Sequence, residues 1–366
     1  MQRDELGAWL RLAMAPGIGR AGARRLLATF GLPQQLFSQS RDALQAAAGP
    51  IAAQALQGEP QGWAAQVELT WDWLQAEPGT RRMLTLADPD YPPALLQTED
   101  PPLLLYASGQ AVREWPRSIA VVGSRNPTAQ GEINARQFGR AFAQAGYTVV
   151  SGLALGVDAA AHEGALEGAL AGQLATIAVV GTGLDQVYPK QHVQLAHRIS
   201  QRGLLLSEYP LGMPPLAENF PRRNRIIAGL GLGTLVVEAA LQSGSLITAR
   251  MALEQGKDVF AIPGSIHSPQ ARGCHALLKQ GAKLVETASD VLEELAPGTA
   301  ARELRAPVDD EQPLLRTMGF DPVSIDALVA RTGTTAANLQ AELLELELQG
   351  HVARLAGGLF QRIAQG

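Results

Sequence analysis

Between residues 118 and 287 the chain alternates short apolar runs with longer amphipathic ones, a pattern that few folds accommodate. Seven apolar runs read as strands: Ser118–Gly123, Tyr147–Ser151, Thr176–Gly181, Gly203–Glu208, Thr234–Ala239, Asp258–Pro263 and Lys283–Thr287. Helical patterns fill the gaps. Strands recurring at this spacing need crossover connections, which make a mostly parallel sheet with helices on both faces, so the fold class is α/β and doubly wound. Most of the runs end in small or polar residues: Gly123-Ser124-Arg125, Ser151-Gly152, Gly181-Thr182-Gly183, Ser207-Glu208 and Pro263-Gly264-Ser265. In such a sheet the carboxyl ends of the strands open on one crevice, which predicts a single shared ligand site there.

At 366 residues the chain exceeds an average domain, and its pattern breaks twice. The first break carries Asp88-Pro89-Asp90-Tyr91-Pro92-Pro93, with Asp100-Pro101-Pro102 after it, and the second runs from Pro297 to Pro313. The divisions are a helical segment over 1–87, the α/β domain over 88–296, a linker over 297–311 and a small domain over 312–366. In the first, Leu6–Met14 and Ala21–Phe30 read as helices joined by Pro16-Gly17-Ile18-Gly19. That turn resembles a helix-hairpin-helix, in which a phosphate approaches backbone amides; a single such turn is weakly specific, and a tight turn without a ligand is the favoured reading of the same residues. Trp63, Trp71 and Trp73 are expected to pack. In the last domain, helices over Ser324–Arg331 and Thr335–Leu348 precede a hairpin, His351–Leu355 and Leu359–Ile363, turning at Gly357-Gly358. This is the order of a winged helix. Its second helix displays Glu342, Glu345 and Glu347 and no Lys or Arg, the wrong charge for a DNA groove, so a protein-contact or regulatory role is expected.

Composition excludes several classes. No apolar stretch reaches the ~20 residues of a membrane span, and Asp4 and Glu5 following Arg3 do not make a secretory signal, so a cytoplasmic protein without membrane contact is expected. Cys274 is the only cysteine, which rules out an intramolecular disulfide. The net charge of −5 disfavours a nucleic-acid binder, but the charge is unevenly spread. Residues 118–296 hold 14 basic and 14 acidic groups, whereas residues 297–366 hold 6 and 9. An anion site belongs in the α/β domain.

Two segments there suit phosphate. In the first strand-to-helix turn Gly123 permits close approach, Ser124 and Arg125 follow, and Thr128 caps the helix expected from Gln130 to Ala145. Neither the Gly-x-Gly-x-x-Gly fingerprint of dinucleotide sites nor a Walker loop is present, so no cofactor is expected. The second segment is Phe220-Pro221-Arg222-Arg223-Asn224-Arg225, where a ring stands beside three guanidinium groups, a combination suited to single-stranded nucleic acid. Glu208, Glu218 and Glu238 offer the alternative of arginines that merely brace the fold. Asp158 and His162 lie four residues apart on a helix, which reads as a helix-starting carboxylate and a packed histidine rather than acid–base chemistry.

These blocks resemble, in order, those of the DprA/Smf family. The resemblance rests on Gly123-Ser124-Arg125, Ser151-Gly152-Leu153-Ala154-Leu155-Gly156-Val157-Asp158 with Ala161-His162, Gly181-Thr182-Gly183 with Tyr188-Pro189, and Ser207-Glu208-Tyr209-Pro210. It continues through Phe220 to Leu230, Val237-Glu238-Ala239, Ser243-Gly244-Ser245-Leu246-Ile247-Thr248-Ala249 and Gly273-Cys274. Departures are His275 after Cys274 and Val157 before Asp158. The resemblance implies an extended Rossmann-like domain, flanked by an N-terminal SAM or helix-hairpin-helix-like domain and a C-terminal winged helix. It further implies a homodimer that is not an enzyme but a recombination mediator, binding single-stranded DNA and loading RecA recombinase during natural transformation. Carried over, the DNA or phosphate contacts are Gly123, Ser124, Arg125, Thr128, Lys190, Phe220, Arg222, Arg223, Asn224, Arg225, Ser243, Gly244 and Ser245. Replacing Arg222 and Arg223 with alanine is then expected to weaken DNA binding without unfolding the chain. The competing readings are a nucleoside-monophosphate phosphoribohydrolase of the lysine-decarboxylase-like family, whose motif Gly231-Leu232-Gly233-Thr234 with Glu238 faintly resembles, and a small-nucleotide sensor using the same crevice.

Overall fold

A computed structural model describes residues 1–295, 312–355 and 357–363; the linker expected over 297–311 lies outside the described residues. Five helices open the chain: α1 (Arg3–Met14), α2 (Arg20–Phe30), α3 (Pro33–Phe37), α4 (Arg41–Gln57) and α5 (Trp63–Ala76). Gly17, at φ +73°, makes the reversal between α1 and α2, and Gly19 caps α2. Trp9 and Trp73 are buried and Trp63 and Trp71 partly so, with the Trp63 indole N–H donating to the Gly7 carbonyl at 2.8 Å.

The sheet has nine strands: β1 (Arg81–Thr85), β2 (Leu104–Gly109), β3 (Ser118–Val122), β4 (Thr148–Ser151), β5 (Thr176–Val179), β6 (Leu204–Ser207), β7 (Gly233–Val236), β8 (Asp258–Ala261) and β9 (Lys283–Leu284). All seven strands read from the sequence are present. The order is β1-β2-β6-β5-β4-β3-β7-β8-β9, parallel from β6 to β9, with β2 antiparallel to both of its neighbours. The pair β1 and β2 was not expected. Arg81 and Arg82 hide the apolar half of β1, and Pro101-Pro102 immediately before β2 reads as loop. The sheet therefore begins at Arg81, ahead of the break read at 87/88, and the proline-rich stretch connects two paired strands.

The helices of this domain are α6 (Pro93–Leu96), α7 (Ala129–Gln144), α8 (Val157–Gly168), α9 (Val193–Arg202), α10 (Asn219–Leu230), α11 (Ser245–Glu254), α12 (Arg272–Lys279) and α13 (Ala288–Leu295). On one face Phe138, Phe142, Val157, Ala161 and Ile199 from α7, α8 and α9 cover the sheet. On the other, Leu95, Ile226, Ile227, Ala249, Cys274 and Leu277 do so from α6, α10, α11 and α12. Both faces of β3, β4 and β5 are thus buried, which is why those strands read as continuous apolar runs.

The last module contains α14 (Pro313–Met318), β10 (Val323–Ser324), α15 (Ile325–Thr332), α16 (Ala336–Leu348), β11 (Val352–Leu355) and β12 (Leu359–Arg362), its sheet ordered β10-β12-β11. Ser324 and Thr335 cap α15 and α16 through their hydroxyls. Leu328, Leu339, Leu343, Leu346 and Phe360 close its core. This is a winged helix, with α14 and the short β10 added to the sequence reading.

Candidate nucleic-acid interface

The order of the sheet reverses at β3: the chain winds from β3 out to β6, then returns to lay β7 on the other side of β3. The loops that leave β3 and β7 diverge at this switch point, and a crevice opens between them. A cavity of about 460 Å³ lies there, lined by residues 122–126 after β3, by Ala240 and residues 242–245 after β7, and by Phe220, Pro221, Arg223 and Asn224 at the start of α10. A smaller cavity adjoins it, between Gly152, Ala154, Leu155, Tyr188, Pro189 and the shared residues Arg125, Phe220 and Arg223.

Nine of the thirteen residues carried over from the resemblance line the main cavity: Gly123, Ser124, Arg125, Phe220, Arg223, Asn224, Ser243, Gly244 and Ser245. Arg125 is exposed, forms no ion pair among the described residues, and holds its guanidinium 5.8 Å from the Phe220 ring centroid. The Tyr188 ring lies 5.5 Å from that of Phe220, tilted by 41°, so two rings and one free cation share the mouth. Ser243 and Ser245 hydroxyls are 2.7 Å apart and Asn224 donates to the Gly244 carbonyl, which fixes the opposite lip.

Arg223 forms the floor. It is 4% exposed, and it donates to the carbonyls of Gly152, at 2.6 Å, and Val179. A side chain at residue 152 would overlap this guanidinium, which accounts for the glycine. Burial lowers its pKa to about 10 although the Asp158 carboxylate opposes the shift. Asp158 in turn accepts the N–H groups of Gly152 and Ala154, at 3.1 and 3.3 Å, and so holds Leu153 between them in the left-handed region at φ +59°. Burial raises the Asp158 pKa, with the Arg223 charge opposing it.

Four expected contacts lie elsewhere. Arg225 points away from the crevice and pairs with Glu208 at 2.5 Å and Asp100 at 3.1 Å, because α10 turns successive side chains by about 100°. Arg222 is exposed, lies 3.3 Å from Glu218 and lines neither cavity. Lys190 is exposed beside the smaller cavity and does not line it. Thr128 caps α7 by accepting from the Gly131 N–H at 3.0 Å, but its own N–H and hydroxyl both donate to Glu238, so the helix start does not face the crevice as an open anion site. The strand ends at Ser207-Glu208 and Pro263-Gly264-Ser265 also stay outside the cavity, which corrects the expectation of one site shared by all of them.

Asp158, Tyr188 and Glu238 are named in the sequence reading but not among its site residues. Tyr188 precedes Pro189 in a block shared with the family, and its aromatic character was the available signal. Asp158 and His162 do not face one another as an acid–base pair: the His162 Nδ1 donates to the Thr176 hydroxyl at 2.7 Å, and burial holds the imidazole down to about 3 and therefore neutral. Cys274 is buried against the carbonyls of Val236 and Val237, and burial pushes its thiol up to about 12.

Over residues 82–296 the sequence matches the family described as DNA recombination-mediator protein A, and over 298–358 the DprA winged helix domain. The chain belongs to the DprA/Smf family. This member is 42% identical over 306 residues to the protein Smf of Escherichia coli, covering 80% of each chain. In structure it is similar to the DNA processing protein A of Streptococcus pneumoniae, with a TM-score of 0.64 and 35% identity over 80% of this chain and 98% of that one. It is also similar to the DNA processing protein A of Helicobacter pylori, with a TM-score of 0.52 and 31% identity over 58% and 95%, a protein described by its single-stranded DNA binding mode. Among the described residues of this family member, no helix is long and apolar enough to cross a membrane.

Proposed function

We propose that this DNA recombination mediator binds single-stranded DNA in the crevice at the β3/β7 switch point, protects it, and delivers it to RecA recombinase during natural transformation. The observation that carries the reading is the uncompensated Arg125 beside the Phe220 and Tyr188 rings, at the mouth of a cavity floored by Arg223. A phosphate and an unstacked base have complementary partners side by side there, and neither contact reads a base edge, so binding should depend on salt and little on sequence. A duplex keeps its bases stacked and cannot use the rings. The chain acts as a binding protein in the cytoplasm, as a homodimer through the α/β domain, and not as an enzyme. Glu238, the carboxylate that a phosphoribohydrolase reading would use, is committed to Thr128, which speaks against that alternative.

Fluorescence anisotropy with labelled single-stranded and duplex oligonucleotides of mixed sequence, across a salt series, tests this. Salt-dependent preference for the single strand is expected. Equal weakness for both forms, with hydrolysis or tight binding of a mononucleotide, would overturn it. Light scattering of the purified chain tests the dimer, and RecA filament formation on coated DNA tests delivery.

A further inference from the structure

We infer that Glu238 is a built-in anion that fills the phosphate position of the first strand-to-helix turn, and so makes the crevice selective for a phosphodiester chain over a free phosphate monoester. The inference rests on the single-stranded DNA reading of that crevice.

In open α/β sheets the helix after the first strand offers its N-terminal amides to a phosphate. Here a carboxylate from the end of β7 is already seated at the N-cap of that helix, held by Thr128 and packed against Gly131. The Thr128 N–H donates to Glu238 Oε2 at 2.9 Å, and the Thr128 hydroxyl donates to Oε1 at 2.6 Å. The same residue accepts the Ser124 N–H on its backbone carbonyl at 2.7 Å, so Glu238 pins both ends of the loop that presents Arg125.

Two glycines record how closely Glu238 packs. A side chain at residue 131 would overlap its carboxyl group, and one at residue 123 would come within 2.9 Å of its carbonyl oxygen. Gly123, which reads in the sequence as room for an incoming phosphate, is instead closed off by Val157 and the Glu238 carbonyl, and Gly131 makes room for the Glu238 carboxylate. A phosphate monoester, doubly charged and drawn to a helix start, meets an occupied site and a like charge. A phosphodiester carries one charge per nucleotide and needs only Arg125 and the residues facing the cavity. Glu238 does not line that cavity; it is a positioning and specificity residue acting through the loop.

The test compares the full-length wild type with E238Q, E238A and E132Q, using calorimetric titration of thymidine 5′-monophosphate and anisotropy of labelled oligo(dT). Glutamine keeps an acceptor for the Thr128 N–H and a partner for its hydroxyl while removing the charge. For E238Q, monophosphate affinity should rise about fivefold, and the ratio of monophosphate to oligo(dT) affinity should rise with it. E238A, with the loop unpinned, should lose about tenfold in oligo(dT) affinity. Glu132 is exposed on the first turn of α7, so E132Q removes an equal charge from the same helix and should change neither. Unchanged monophosphate affinity in folded E238Q, or an equal rise in E132Q, would overturn the inference. Should the wild type fail to bind oligo(dT), the DNA reading falls, whereas the monophosphate comparison still decides the role of Glu238. If E238A does not fold, E238Q carries the test.

Discussion

Two clusters of three arginines lie on either side of α10, and they differ in what surrounds them. On one side Arg20 and Arg24 from α2 meet Arg225, and all three converge on Asp100, with Glu208 shared by Arg20 and Arg225. On the other side Arg125 and Arg223 line the crevice, and the exposed Arg222 beside Arg223 in the chain is paired with Glu218, whereas Arg125 has no ion-pair partner among the described residues. The first cluster joins the N-terminal helices to the sheet domain. Burial alone would raise the Asp100 carboxyl, but the hydrogen bond from Arg24 and the charges of Arg20 and Arg225 outweigh it and hold the group at about 2. The second cluster leaves positive charge unspent at a concave surface. Equal numbers of arginines thus make a brace in one place and an anion site in the other, and the difference lies in which carboxylates the fold delivers to each.

The sharpest test of this contrast is Arg223, which belongs to the crevice but is built like a brace. Replacing it with alanine should cost about 4 kcal/mol in urea unfolding, because Asp158 is left buried without a cation and two carbonyls lose their donor. The predicted loss runs against the expectation that Arg222 and Arg223 can be removed together without unfolding the chain; a double variant as stable as wild type would break the assignment of Arg223 to the floor. Arg125→Ala should lower single-stranded DNA affinity about tenfold and reduce the salt slope by about one, with the melting temperature unchanged. Unaltered binding would remove the free cation from the site.

Arg225→Ala should do the reverse: a loss of about 2 kcal/mol in stability, since Glu208 is 7% exposed and keeps only Arg20, with DNA affinity within about twofold of wild type. Acid unfolding sharpens the same side. A carboxyl held near 2 against an ordinary 3.8 contributes stability that is fully present above about pH 4 and is lost as the pH falls through 2. Asp100→Asn should therefore be less stable than wild type at pH 7 and show a shallower loss between pH 4 and 2, measured by the melting midpoint across that range. The smallest effect is expected in the winged helix. Glu345 is exposed on α16, so Glu345→Lys should change single-stranded DNA affinity by less than about twofold. A gain in duplex affinity of tenfold or more would show a groove-binding helix held back by its charge.

Much of the α/β domain was legible because strands buried on both faces write themselves as apolar runs. β1 and β2 were not, since one begins with two arginines and the other follows two prolines, and only their pairing with each other reveals them. The loop after β3, the start of α10 and the Ser243-Gly244-Ser245 turn were legible as a phosphate-binding set, and the fold does bring them to one cavity. What could not be read was the direction of each side chain. Neighbouring arginines on a helix diverge, and nothing local distinguishes Arg223, buried between Gly152 and Val179, from Arg225, half-buried against Asp100 and Glu208.

The sequence alone therefore determined the layered α/β architecture, the winged helix after it, and the chemical types gathered at the strand ends, because periodicity and turn chemistry are local properties. The tertiary structure decided which of those groups remain available to a ligand. Asp100, Glu208 and Glu238 reach their partners across 125, 17 and 110 residues of chain, and only the closed sheet determines which cations and helix starts they neutralise. A charge is free or spent according to its neighbours in space, and those neighbours are fixed by topology rather than by spacing along the chain.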